Sequence, residues 1–343
     1  MRFKNFSFLC IAFLSILSCK KSGNSDNQPE PKKEVDIYIA GLTMQGKAAY
    51  WKNGAINLLV SNDEQSSKAT DIAVQGSDVY LSGYRYVNDL KQACYWKNGV
   101  RYELEDNNFD SEATAIALKG SDVYVIGSVY NAVLNKTIYI CWKNGAKTNL
   151  ISDISNRWYA SDIAVKGDDI YIVGGASESN KQQAVVCKNG TLTLLPFLTT
   201  GAIYSTATAL TIVDNNIYIS GYENSGTPES TALYWKNGAA IQVAKPALAY
   251  DVTVVNNDVY VAGEKLMLLG TYPIGSYATF WKNGAESFVY RNYYSDLQNI
   301  VVNQGDIYAI GRAESLNVFY KNGVKQNFSN VPAFPIKMSI VSK

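Results

Sequence analysis

The chain has 343 residues, of which 47% are hydrophobic and 18% charged. That composition excludes global disorder, and at this length an all-β chain can still be a single unit. The net charge is +1, and loss of Arg2 and Lys4 with residues 1–18 makes it −1, so the basic footprint of a nucleic-acid binder is absent. There are 25 tyrosines and no histidine, which excludes Ser-His-Asp triads, Cys-His pairs and His-ligated metal sites.

Residues 1–18, MRFKNFSFLCIAFLSILS, pair a basic start with a short apolar run, Phe6 to Leu17. The run is short for a membrane span and reads as a signal peptide. It ends in Ile16-Leu17-Ser18-Cys19, which resembles a bacterial lipobox. The resemblance implies cleavage before Cys19, lipidation of its sulfur and a palmitate-type membrane anchor. The expected location is the cell envelope, at the outer membrane of a Gram-negative cell. An ordinary secretory peptide with a chance cysteine is the other reading. Acyl chains contribute about 0.8 kcal/mol per buried CH₂, so several together anchor firmly. Residues 20–34 hold no large apolar side chain, which makes 19–34 a lipidated tether.

Internal repeats set the fold of residues 35–343. Trp51-Lys52-Asn53-Gly54 recurs as Trp96–Gly99, Trp142–Gly145, Cys187–Gly190, Trp235–Gly238, Trp281–Gly284 and Tyr320–Gly323. Ahead of each lies a Tyr followed three residues later by Gly, from Tyr38 and Gly41 to Tyr308 and Gly311. Successive Lys-Asn-Gly segments are 45, 46, 45, 48, 46 and 39 residues apart, a propeller-like period. One unit predicts strand A at 69–74, a Gly-Ser-Asp turn, strand B at 79–83, a variable loop, strand C at 92–96, an Asn-Gly turn and strand D at 100–104. The first repeat starts at Val35 on strand B and lacks strand A. Lys337-Met338-Ser339-Ile340 aligns with Asp71-Ile72-Ala73-Val74, so the C-terminal strand is expected to complete the first blade and remove open edges. The expected fold is an all-β, seven-bladed β-propeller with four strands per blade; an open solenoid is the alternative.

The pattern A-x-x-W-x-N-G with Y-V-x-G resembles the bacterial extracellular repeats named HAF, and more loosely kelch blades. It covers about residues 35–343 and implies a propeller, without implying a reaction. It departs from kelch in having a double glycine only at Gly174-Gly175, and it lacks the WD40 and sialidase sequence marks.

Several residues are candidates for function. The B–C and D–A loops vary and are rich in aromatics, including Tyr84, Tyr86, Phe109, Tyr130, Trp158, Tyr159, Tyr204, Tyr222, Tyr272, Tyr293, Tyr294 and Phe334. Exposed rings stack on sugars or anchor peptides, and they also pack loops. Trp158, Tyr159, Tyr293 and Tyr294 are the ligand-binding expectation on this face. A second expectation is the channel mouth, where the first polar position of the inner strands reads Asp71, Ala115, Asp162, Ala209, Asp251, Asn299 and Lys337. Asp71, Asp162 and Asp251 could take a sugar hydroxyl or a cation, or hydrogen-bond neighbouring strand ends. Asp106-x-Asn108-x-Asp110 begins like a calcium loop but has Ser111 and Ala117 where glycine and glutamate are needed. The repeated tryptophans are expected between blades. Cys94, Cys141 and Cys187 read as buried free thiols.

No cofactor, metal or catalytic residue is assigned. The expected function is a non-catalytic binding module for a glycan, peptide or protein, monomeric, with no nucleic-acid partner. The alternatives are a glycan-active enzyme with paired carboxylates at the channel mouth, and a structural component of an envelope complex.

Overall fold

The computed structural model describes residues 32–59, 66–105, 110–133, 135–148, 150, 158–178, 180–227, 229–270, 272–290, 294–313, 316–327 and 333–343. The N-terminal residues 1–31, Cys19 among them, lie outside this set. Lys33–Lys343 forms one compact unit. Among the described residues every regular element is a β-strand, in agreement with the all-β expectation.

The strands pair as small antiparallel sheets. The first holds β1 (Val35–Thr43), β2 (Ala48–Lys52) and β3 (Ala55–Leu58). β4 (Ser67–Gln75), β5 (Asp78–Val87), β6 (Leu90–Lys97) and β7 (Val100–Glu103) make the next, followed by β8 (Ser111–Lys119), β9 (Asp122–Asn131), β10 (Lys136–Lys143) and β11 (Ala146–Lys147). β12 (Trp158–Lys166), β13 (Asp169–Glu178), β14 (Lys181–Lys188) and β15 (Thr191–Leu194) are joined to β16 (Tyr204–Val213), β17 (Asn216–Asn224), β18 (Thr231–Lys236) and β19 (Ala239–Ala244) by one parallel bridge, Gln182 to Tyr204. Two further sheets are β20 (Ala247–Val255), β21 (Asp258–Leu269), β22 (Tyr272–Lys282) and β23 (Ala285–Tyr290), then β24 (Asp296–Asn303), β25 (Asp306–Ala313), β26 (Leu316–Lys321) and β27 (Val324–Gln326).

The last strand, β28 (Ala333–Ser342), pairs with β1 in the first sheet. Lys337 opposes Ala40 just as Asp71 opposes Ser82, so β28 stands where β4 stands in the next repeat. The inner strands β28, β4, β8, β12, β16, β20 and β24 each touch the next, and β24 touches β28.

Three local devices explain the repeated sequence. In each Asn-Gly turn, both residues take positive φ, near 50° for the asparagines and 77–88° for the glycines, as a type I′ hairpin needs. The Asn98 side chain accepts the Val79 N–H at 2.9 Å and donates to Asp78 at 2.8 Å. Lys97 pairs with that Asp78 and lies over the Tyr80 ring. The same lysine-over-tyrosine contact recurs at Lys52, Lys143, Lys188, Lys236, Lys282 and Lys321. Second, each inner strand carries a β-bulge opposite the signature glycine of its neighbour, as between Ala113 and Ala115 facing Gly127. A Cβ on Gly127 would lie 2.0 Å from the Glu112 carbonyl oxygen, so the bulge itself demands glycine. Third, Trp51, Trp96, Trp142, Trp235 and Trp281 are fully buried between sheets, with Cys187 and Tyr320 in the same position. Cys94, Cys141 and Cys187 are buried thiols outside any disulfide, and burial pushes the Cys141 thiol up to about 12.

One expectation needs correction. The segment after strand B is not a variable loop in its repeat, because β5 runs on to Val87 and turns at Asn88-Asp89 into β6. Tyr84 and Tyr86 are strand residues, as are Tyr130, Tyr159, Tyr204, Tyr222, Tyr272 and Phe334. Alternating strand sequence and loop sequence look alike when tyrosine serves both.

Candidate functional site

Each inner strand begins at the end of the ring opposite the Asn-Gly turns. Four serines there fasten it to the preceding sheet. Ser67, Ser111, Ser205 and Ser295 accept the N–H of Ala48, Ala93, Ala184 and Ala278 at 2.9–3.0 Å. Trp158 holds this same position in β12, four residues before Asp162. It is only 4% exposed and packs with Cys141, Ile163 and Cys187, so the expectation that it binds ligand is corrected: no ring face is left for one. Its place four residues ahead of the channel aspartate was the available signal.

One residue further along, the side chains form a polar, aromatic arc. Tyr159 is half-buried, shares a hydrogen bond of 2.5 Å with Thr206 and accepts from Gln182 Nε2 at 2.9 Å. Tyr139 lies 6.4 Å from the Tyr159 ring. Tyr204 stacks on Tyr222 at 5.9 Å, and Tyr222 meets Tyr250 edge-on at 6.5 Å. The Tyr250 hydroxyl donates to Glu264 Oε1 at 2.5 Å. Beyond it Arg312 clamps Asp296 Oδ2 with Nε at 2.8 Å and Nη2 at 2.5 Å. At the other end Lys91 pairs with Glu112 at 2.7 Å and lies over Tyr84. Burial is the main cause that raises the phenols of Tyr159, Tyr222 and Tyr250 above their ordinary value, Tyr159 to about 12. The carboxylate of Glu264 adds to this at Tyr250. The rings are therefore neutral hydroxyl donors and acceptors at any physiological pH.

Below the arc, at the next register inward, lies the channel ring. Asp71 accepts from Ile72 N at 2.8 Å and, across to β8, from Ile116 N at 2.9 Å. Asp162 does the same with Ile163 N and Leu210 N, both at 2.9 Å. Asp251 accepts from Asn299 Nδ2 at 2.5 Å and Ile300 N at 2.9 Å, and Asn299 accepts from Met338 N at 3.0 Å. Each side chain thus ties its strand to the following one. Lys337, on the closing strand, stands 3.7 Å from Asp251. Burial works against its charge, but Asp251, Asp162 and Asp71 outweigh that and hold the ammonium above its ordinary value. Burial raises Asp71, and it lifts Asp162 to about 7.

Tyr159 thus joins the arc, and Asp71, Asp162 and Asp251 are brought together under it. Tyr294 is exposed, in a left-handed conformation two residues before Asp296. Tyr293 lies outside the described residues, as do Asp106 and Asn108. Asp110, from the calcium-like run, accepts the Lys91 N–H at 3.0 Å. Among the described residues no group of three or more Cys, Asp or Glu could hold a metal ion. Tyr250, Glu264, Asp296 and Arg312 escaped the sequence reading. Their signal was column variation between repeats. For Glu264 and Arg312, the residue after the signature glycine reads Leu42, Tyr84, Ser128, Gly175, Tyr222, Glu264 and Arg312, a varied column beside the regular tyrosine and glycine.

No family model and no curated protein matches the sequence. Among solved structures, polysaccharide lyase Uly1 aligns with a TM-score of 0.41 and 12% identity, over 87% of this chain and 91% of that one. Trypanosoma rangeli sialidase with the inhibitor DANA gives 0.43 and 7%, over 80% and 55%. A puromycin-hydrolyzing peptidase of Mycobacterium tuberculosis gives 0.42 and 11%, over 76% and 52%. The chain spans about half the length of the last two. At TM-scores under 0.5 these likenesses assign neither a family nor an activity.

Proposed function

We propose that residues 35–343 are a seven-bladed β-propeller, held at the cell envelope by lipid on Cys19, that binds a glycan across the tyrosine arc. The repeat count, the closing strand and the cyclic contacts of the inner strands support the blade number. The observation that carries the glycan reading is the arc itself. Half-buried neutral tyrosines offer ring faces to the C–H side of a sugar, while Gln182, Glu264 and the phenol hydroxyls offer partners to its hydroxyls. A peptide would call for deeper apolar pockets. Several of the similar structures are named for carbohydrate chemistry, an endo-arabinanase, a sialidase and a polysaccharide lyase, but the reading rests on the arc.

A second reading, favoured by one observation, is glycan cleavage. Glu264 bonds the Tyr250 hydroxyl, and beyond burial Glu264 and Asp296 both raise that phenol, so two carboxylates stand at the same end of the arc. Both readings meet one test. The full-length protein is screened on a glycan array beside Tyr222→Ala and Glu264→Gln, with folding followed by circular dichroism. Glycan binding that Tyr222→Ala loses by about ten-fold or more is expected. Binding unchanged in both folded variants would remove the arc from consideration. New reducing ends released from a bound oligosaccharide by the parent, and not by Glu264→Gln, would move the reading to an enzyme.

A further inference from the structure

One charged side chain in the row of the arc has no partner of its own. Lys68 stands three residues before Asp71, as Tyr159 stands before Asp162 and Asp296 before Asn299, so it occupies the same register of the inner strands. It opposes Tyr84 across its sheet as Thr206 opposes Tyr222, which puts Lys68 and Tyr84 on one face. That face looks toward Glu112 of β8, because Lys91 lies over the Tyr84 ring and pairs with Glu112 at 2.7 Å. Lys68 is half-buried, and among the described residues its ammonium makes no hydrogen bond or ion pair.

The charges around it leave a positive excess. Burial pushes the Lys68 ammonium below its ordinary value, Glu112 pulls it back, and Lys91 adds to the fall. Two ammonium groups thus share one carboxylate, and that carboxylate bonds Lys91. The far end of the arc is the reverse. There Arg312 is gripped by Asp296 through two nitrogens, and Glu264 is a second acid. An anion set beside Lys68 would offset the cost of holding a half-buried cation near another one, while the same anion at the Arg312 end would face two carboxylates.

We propose that the glycan held by the arc is acidic, and that Lys68 binds its anionic substituent, a carboxylate or a sulfate ester; this rests on the glycan-binding reading above. The tyrosines take the sugar rings and hydroxyls, and the charge fixes which end of the glycan lies over β4 and β8.

The test uses the full-length protein in nanodiscs of zwitterionic lipid, with empty nanodiscs as reference. Calorimetry compares short oligosaccharides of alginate and polygalacturonate, which carry carboxylates, and of carrageenan, which carries sulfate esters. Their carboxyl-reduced and desulfated forms are the uncharged references. At least one acidic oligosaccharide is expected to bind about ten-fold tighter than its reference, and its class tells carboxylate from sulfate. In Lys68→Met that ratio is expected to fall to near one, and in Lys68→Arg, which keeps the charge, to persist. Equal affinity for every acidic oligosaccharide and its reference overturns the proposal and leaves the glycan reading standing. A preference that survives in Lys68→Met also overturns it, because the anion then sits elsewhere. Absence of binding by every oligosaccharide sinks both.

Discussion

At the residue scale, most polar side chains near the centre of the ring have structural work that their identity alone does not disclose. Asp162 could be read as a ligand group, yet both its oxygens are taken by backbone N–H groups of two strands. Its environment has a measurable consequence. Burial raises its folded value to about 7, well above the value for an unfolded aspartate. Between roughly pH 4 and 7 the folded state holds a proton that the unfolded state has lost, so stability falls as pH rises through that window. The expected contribution is on the order of 4 kcal/mol. Thermal melts from pH 4 to 8 should show this decline, and Asp162→Asn should flatten it. Asp71 leaves a residual slope, since burial raises it too. The variant should also melt lower throughout, because one backbone N–H loses its acceptor. A parent profile flat over this range would show that Asp162 is ionised in the folded ring.

At the element scale, the paired bulge and glycine is the unit that repeats. The bulge turns the channel side chain toward the next strand, and the glycine makes room for the displaced carbonyl. The same close approach occurs at Gly83, Gly174 and Gly263, where a Cβ would meet a backbone oxygen at 1.8–2.0 Å. Backbone on both sides cannot yield as a flexible side chain could. Gly127→Ala is therefore expected to cost about 3 kcal/mol by denaturant titration. Gly76→Ala, at an A–B turn with open space around it, should cost less, through its positive φ alone. Similar losses at the two sites would mean that the bulge relaxes. The tyrosine-and-glycine spacing was legible in the sequence, but its cause was not. A bulge has no composition of its own, and it is visible only when two strands are in register.

At the scale of the whole molecule, closure joins the two ends of the described unit. Lys343 N bonds Glu34 O at 2.8 Å, and Lys343 Nζ lies 3.0 Å from the Glu34 carboxylate. A circular permutant that links residue 343 to residue 33 by a short Gly-Ser segment, and opens between residues 60 and 65, should therefore fold. Its expected melting temperature is within about 5 °C of the parent, because no inner-strand pairing is cut. A permutant that fails to fold, or that melts in two steps, would show that pairing of β28 with β1 does not close the unit.

The sequence by itself determined the all-β class, the repeat, the strand that stands in for the missing first one, the turn chemistry and the burial of the repeated tryptophans. Each of these follows from local spacing, which survives without knowledge of distant contacts. Tertiary structure decided which tyrosines and carboxylates share a site. Tyr159, Thr206, Tyr250 and Asp296 come from four different inner strands, and only a ring of inner strands in one register sets them side by side. It also decided that Trp158 faces the core while Tyr159, its neighbour, faces the arc, since adjacent strand residues point to opposite sides.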